Sequence, residues 1–170
     1  TRHTHFDYPV HNVSGVIRMR NSDFQFENVK GNNNSTNTTC NGVWNEAEGL
    51  QLRFICNDVY LDGNLRKALP SSFREIWDGF RPSGTVALAS VDLLLPPNAP
   101  NLDVRIDARL SSTQKPDGYH NVAIKPTWFP YELNQLTGRI KIGEGEVHLE
   151  QIRGRHGRGW LSANGYGQYD

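Results

Sequence analysis

Between Val13 and Lys30 apolar and polar residues alternate in two runs, Ile17 and Met19 before Asn21-Ser22-Asp23, Phe24 and Phe26 after it. A period of two broken by turn residues predicts a half-buried β-hairpin. Ile140 and Ile142, then Val147 and Leu149, repeat the arrangement around Gly143-Glu144-Gly145. Leu50, Leu52, Phe54 and Cys56 define a longer strand that continues toward Val59 and Leu61. Val86 and Leu88 share one parity while Val91, Leu93 and Leu95 share the other, which predicts a bulge near Ala89-Ser90. Beyond the stiff connector Pro96 to Asn101, Leu102, Val104, Ile106, Ala108 and Leu110 alternate with Asp103, Arg105, Asp107 and Arg109. A polar loop from Ser111 to Gly118 then leads to Val122 and Ile124.

One stretch changes period. Leu65, Leu69, Phe73, Ile76, Trp77 and Phe80 recur at spacings of three and four, the stripe of a helix with one buried face, over about 62–80. Pro70 splits it in two, and Ser71 or Ser72 is placed to cap the second piece. This is a helical plug or lid in an otherwise β-patterned chain.

The two hairpins belong to an internal repeat. Moving the first by 123 positions (138 − 15) sets Gly15 on Gly138 without a gap, together with Phe6 on Phe129, Tyr8 on Tyr131 and Glu27 on Glu150. Gly31 falls on Gly154, and Asn41-Gly42 on Asn164-Gly165, where a third strand is expected to end. Val10 and Val13 meet Leu133 and Leu136. A fixed period of this kind marks repeat architecture. Residues 1–127 read as a first unit and 128–170 as the start of a second, in one continuous sheet belonging to a longer array.

Composition narrows the partners. The 18 basic and 18 acidic residues balance, which removes the general electrostatic pull toward nucleic acid. The Arg/Gly tract Arg155 to Trp160 aligns with the uncharged Asn32 to Asn37, so it reads as a solvated loop. Cys40 and Cys56 lack the spacing of a zinc site and are either a cross-strand disulfide or two buried thiols. The cluster His3, His5 and His11 is not kept by the repeat, since His5 meets Trp128 and His11 meets Asn134, and no metal is expected.

No nucleophile elbow, phosphate-binding loop or dinucleotide fingerprint is present, so an enzyme is not expected, nor a cofactor. Glu144 with Glu146 and Asp103 with Asp107 fit the outer face of a strand better than a hydrolytic pair. The repeated Glu27 and Glu150 read as structural acceptors of hydrogen bonds at a strand end.

The pattern Phe129-x-Tyr131-x-Leu133-x-x-Leu136-Thr137-Gly138-x-Ile140, then Val147-x-Leu149-x-x-Ile152-x-Gly154-x-x-Gly157, closing on Asn164-Gly165, resembles the repeat of AsmA-like and TamB-like envelope proteins. Leu61-Asp62-Gly63-Asn64-Leu65, Trp77 and Pro82-Ser83-Gly84 extend the likeness, while the Asn-rich stretch after Gly31 departs from it. The resemblance implies a mainly β fold with a short helical insert, a curved antiparallel sheet forming a taco-like groove built from internal repeats. It also implies a periplasmic location behind an upstream inner-membrane helix, adjacent repeats of the same full-length chain as neighbours, and phospholipid or another acyl-chain lipid as cargo between inner and outer membrane.

The residue pattern leads partway there on its own. A sheet with one apolar face needs a cover, and one short helical segment supplies little. An open face accepts acyl chains at about 0.8 kcal/mol per buried methylene, without directional contacts. The expected groove face is Ile17, Met19, Phe24, Phe26, Leu52, Phe54, Val86, Leu88, Val104, Ile106, Ile140, Ile142, Val147 and Leu149. The expected repeat-defining glycines are Gly15, Gly31, Gly42, Gly138, Gly154 and Gly165. The rival is a structural or adhesive module whose apolar face closes on itself, with Trp44, Trp128 and Trp160 free to stack on a glycan or meet a protein.

Overall fold

The computed structural model describes residues 9–115 and 118–169. Phe6 and Tyr8 of the repeat, with His3 and His5, lie outside them. In chain order the strands are β1 (His11–Arg20), β2 (Asp23–Asn33), β3 (Thr36–Asn45) and β4 (Gly49–Tyr60), followed by helices α1 (Gly63–Ala68) and α2 (Ser71–Phe80). Then come β5 (Ser83–Leu95), β6 (Asp103–Leu110), a small hairpin of β7 (Thr113–Lys115) and β8 (Gly118–His120), β9 (Val122–Ala123), β10 (Asn134–Gly143), β11 (Glu146–His156) and β12 (Gly159–Gln168). The fold is mainly β, a single open antiparallel sheet in the order β1-β2-β3-β4-β5-β6-β10-β11-β12, with β9 paired to β5. The stretch read as a polar loop thus contains the β7–β8 hairpin.

The repeat is present residue for residue in the backbone. β1, β2 and β3 map onto β10, β11 and β12 with identical bounds at the 123-residue offset (134 − 11). Asn21 and Ser22 have φ of 48° and 71°, Glu144 and Gly145 have 55° and 77°, the two left-handed residues of a tight hairpin turn. Both copies break register at the same places, and Asn12 and Asn28 share their left-handed φ with Gln135 and Gln151. Such irregularities bend a strand and increase its twist, which gives a long sheet its curvature.

The glycines explain why these positions repeat. Gly15 and Gly138 have φ of 153° and 123°, and a Cβ there would stand 2.5 Å from Val29 Cα or 2.7 Å from the Gln151 carbonyl oxygen. Gly31 makes room for Val10 and Val13, and Gly154 for Leu136 and Leu133, the same aliphatic pair in each copy. Asn41-Gly42 and Asn164-Gly165 do not end their strands as expected; β3 and β12 run on past them. Each asparagine instead accepts the backbone N–H of the bulged residue opposite, Asn41 Oδ1 from Asn28 at 2.8 Å and Asn164 Oδ1 from Gln151 at 2.6 Å.

The helical segment forms where its period predicts, split at Pro70. Asp62 caps α1 by accepting from the N–H groups of Asn64 and Leu65. Neither serine caps α2: its N-cap is Pro70, with no side-chain hydrogen bond, because Ser71 already lies inside the helix. The buried cluster sits at one end of the sheet, where Val122, Leu133 and Leu136 fold under β5, β6 and β11 onto Val86, Ala89, Leu110 and Ile152.

Candidate functional site

Directly opposed residues on neighbouring strands share a face of a sheet, so the register defines what each face carries. One row runs Cys40, Phe54, Val91, Ile106, Ile142, Val147 from β3 to β11. The next runs Ile17, Phe26, Gly42, Leu52, Leu93, Val104 from β1 to β6. Beyond it lie Met19, Phe24, Trp44, Leu50 and Leu95, and on the other side Ala89, Ala108, Ile140 and Leu149. One apolar face therefore runs from β1 to β11 across eight strands of the path, about 34 Å at ~4.8 Å per strand spacing.

The chain closes over one end of this face, where Ala89 is buried and Ala108, Ile140 and Leu149 pack against the end cluster. Of the fourteen residues expected on it, only Val86 is buried; Ile17 and Met19 are 59% and 70% exposed and the others are half-buried. Two of them are misplaced by the sequence pattern. β5 keeps one register with β4 from Leu95 to Thr85, with no bulge at Ala89-Ser90, so Leu88 lies opposite Asn57 and Arg109 on the other face. Val86 belongs to the buried end cluster. The strand contributes Val91, Leu93 and Leu95 to the open face, and the longer of the two alternating runs was the signal for them.

The opposite face is a lattice of ion pairs between neighbouring strands. Arg53 donates to Asp92 at 2.6 and 3.1 Å, Lys141 to Glu150 at 2.6 Å and Arg18 to Glu27 at 3.0 Å, and Arg139 forks onto Asp107. Arg105 bridges Asp103 and Glu144, and His148 meets Glu146. Hydrogen bonding from Arg139 holds the Asp107 carboxyl below the usual carboxylate range, and Lys141 does the same for Glu150. Exposed pairs contribute little stability each, and they assign this face to water. A cleft of about 260 Å³ here is lined by charges that already have partners, including Asp92, Arg105, Asp107, Lys141 and Glu144. Glu27 and Glu150 accept from Arg18 and Lys141 as structural acceptors, but inside β2 and β11 and not at the strand end expected for them.

Cys40 and Cys56 are unbonded, both toward the apolar face. They are diagonal neighbours, Cys40 opposite Phe54 and Cys56 opposite Thr38, a relation that puts Cα atoms about 7–8 Å apart, beyond ordinary disulfide reach. Burial pushes both thiols up. Trp44 is half-buried on the apolar face, 5.6 Å from Phe24, so it offers no outer platform. Trp128 and Trp160 are 69% and 64% exposed, and Trp160 helps line a second cleft of about 230 Å³ with Phe129, Tyr131, Leu133, His156 and Leu161.

Among the described residues, no cluster of three His, Cys, Asp or Glu side chains is arranged to hold a metal ion, and no helix is long and apolar enough to cross a membrane. No family profile, curated protein or solved structure matches the chain.

Proposed function

We propose that this chain is a cell-envelope β-groove module that holds the acyl chains of phospholipid on its open apolar face and forms part of a periplasmic conduit between inner and outer membrane. The observation that carries the reading is an apolar strip across eight strands that its own chain covers only in part, backed by a face of ion pairs. A monomeric soluble protein rarely leaves so large a contiguous apolar surface without a use for it. Aliphatic and aromatic side chains without interspersed charges bind chain after chain of methylenes and fix no register, which suits passage along the strip.

The two sheet edges support continuation into adjacent repeats. β10 is flanked by β6, and β3 by β4, whereas their counterparts β1 and β12 have an unpaired edge. Val13, Val16, Trp160 and Tyr166 on these edge strands are among the most exposed large apolar residues.

The test is site-specific photo-crosslinking in protein made in cells, with benzoylphenylalanine in place of Phe54 or Ile106 on the apolar face and of Arg53 on the charged face. Phospholipid adducts at the first two positions and none at Arg53, by denaturing mass spectrometry, are expected. Absence of adducts at all three, with no lipid extracted from the purified chain, would refute the reading. The cleft under Trp160 favours a second one, an adhesive module that stacks a sugar ring on exposed aromatics; binding to a glycan array abolished by Trp160→Ala would select it.

A further inference from the structure

The helix pair lies on the apolar side of the sheet. Tyr169 lies two residues past Gly167, which opposes Val147 of the apolar face, and its ring meets Phe73 of α2 edge-on at 5.7 Å. Phe73 is buried, as is Ala68 of α1. Arg66 forks onto Asp78 at 2.7 and 2.5 Å, so the two helices are joined into one body.

That body is fastened at one end. Leu61 N–H donates to the Gly84 carbonyl, and the carbonyls of Gly79 and Phe80 accept from Thr127 and Lys125 at 2.9 and 3.0 Å. Arg81, at φ 46° and ψ 60°, turns the chain out of α2 immediately afterward. At the elbow, Leu69-Pro70, the situation reverses. Among the described residues, no backbone hydrogen bond joins residues 63–78 to the sheet, and the first turn of α2 has no side-chain cap. Tyr169 is itself held, its N–H donating to the Gly145 carbonyl at 2.8 Å in the β10–β11 turn.

From this asymmetry we infer that α1 and α2 are a lid over the apolar face, hinged at Asp62 and Arg81 and closed at the elbow by the contact of Phe73 with Tyr169. The inference rests on the acyl-chain reading of that face and names what regulates access to it. In the closed position the stripe of Leu65, Leu69, Phe73, Ile76 and Trp77 supplies the cover that the sheet lacks. Swinging the elbow out replaces these side chains with lipid and leaves the hinge hydrogen bonds intact. A local opening of this kind needs only the free energy of the contacts it breaks.

The experiment compares the full chain with Tyr169→Ala and with the ring-retaining Tyr169→Phe. Hydrogen exchange followed by mass spectrometry reads α2 against β4 and β5, and transfer of fluorescent NBD-phosphatidylethanolamine from phosphatidylethanolamine/phosphatidylglycerol vesicles reads access. Tyr169→Ala should speed exchange across α2 by about three- to tenfold, the share of one aromatic pair, and speed transfer in parallel, with β4 and β5 unchanged. Tyr169→Phe should behave as the parent chain. If α2 exchanges only together with β4 and β5, or Tyr169→Ala leaves it unaltered, the lid is wrong. Lipid transfer that is present but equal in all three chains overturns the lid and spares the lipid reading. No transfer in any chain, with α2 exchange still released by Tyr169→Ala, overturns the lipid reading and keeps the hinge.

Discussion

Replacing Leu136 and Leu52 by alanine, one at a time, separates a closed core from an open face using the same chemical change. Leu136 is 2% exposed among Val86, Leu110, Leu133 and Ile152. Leu52 is half-buried, with Gly42, which has no side chain, opposite it on one side and Leu93 on the other. Each substitution removes three carbons, at most about 2.4 kcal/mol at ~0.8 kcal/mol per methylene. At Leu136 a cavity is left as well, which brings the expected loss to about 3–5 kcal/mol. At Leu52 no cavity forms, and only part of the transfer energy is at stake, roughly 1 kcal/mol. At about 2–4 °C per kcal/mol for a chain of this size, Leu136→Ala should lower the melting temperature by roughly 6–20 °C and Leu52→Ala by about 2–4 °C. Thermal and urea unfolding followed by circular dichroism measure the shifts and the free-energy losses in lipid-free protein. Equal losses would mean that Leu52 is enclosed by protein, and the open-face argument would collapse.

Two further outcomes follow from the repeat and the charged face. Gly42→Ala should destabilise strongly, since its Cβ would stand 2.0 Å from the Gln51 carbonyl oxygen, while Gly165→Ala at the equivalent position of β12 meets nothing within 4 Å and should be near neutral by the same urea assay. Because Asp107 and Glu150 titrate below the usual range in the folded chain, their stabilisation is present above the ordinary carboxylate values of about 3.9–4.3 and is lost as pH falls through the folded ones. The unfolding midpoint should thus hold from pH 7 to about 5 and drop below about 4, with Asp107→Asn flattening the drop; a midpoint insensitive to acid would remove these pairs from the account.

The chain's patterning determined a good deal unaided. Period-two alternation located most of the long strands, the three-and-four spacing with Pro70 located the helix pair, and the 123-residue offset identified two matching hairpins. These are local properties, since a strand's alternation and a left-handed residue at a bulge are dictated within a few positions. Tertiary structure decided what the same local design becomes. Val10 and Val13 are 44% and 62% exposed, whereas their counterparts Leu133 and Leu136 are 7% and 2% exposed, because Val86, Leu110, Val122 and Ile152 pack around them. Leu88 reads as a groove residue by its immediate neighbours, and the register against β4 and β6 turns it to the charged side. Gly42 is crowded and Gly165 is free because β4 covers one and no strand covers the other. Which face stays open, and where the helices rest on it, are set by pairings between residues far apart in the chain, and periodicity carries no record of them.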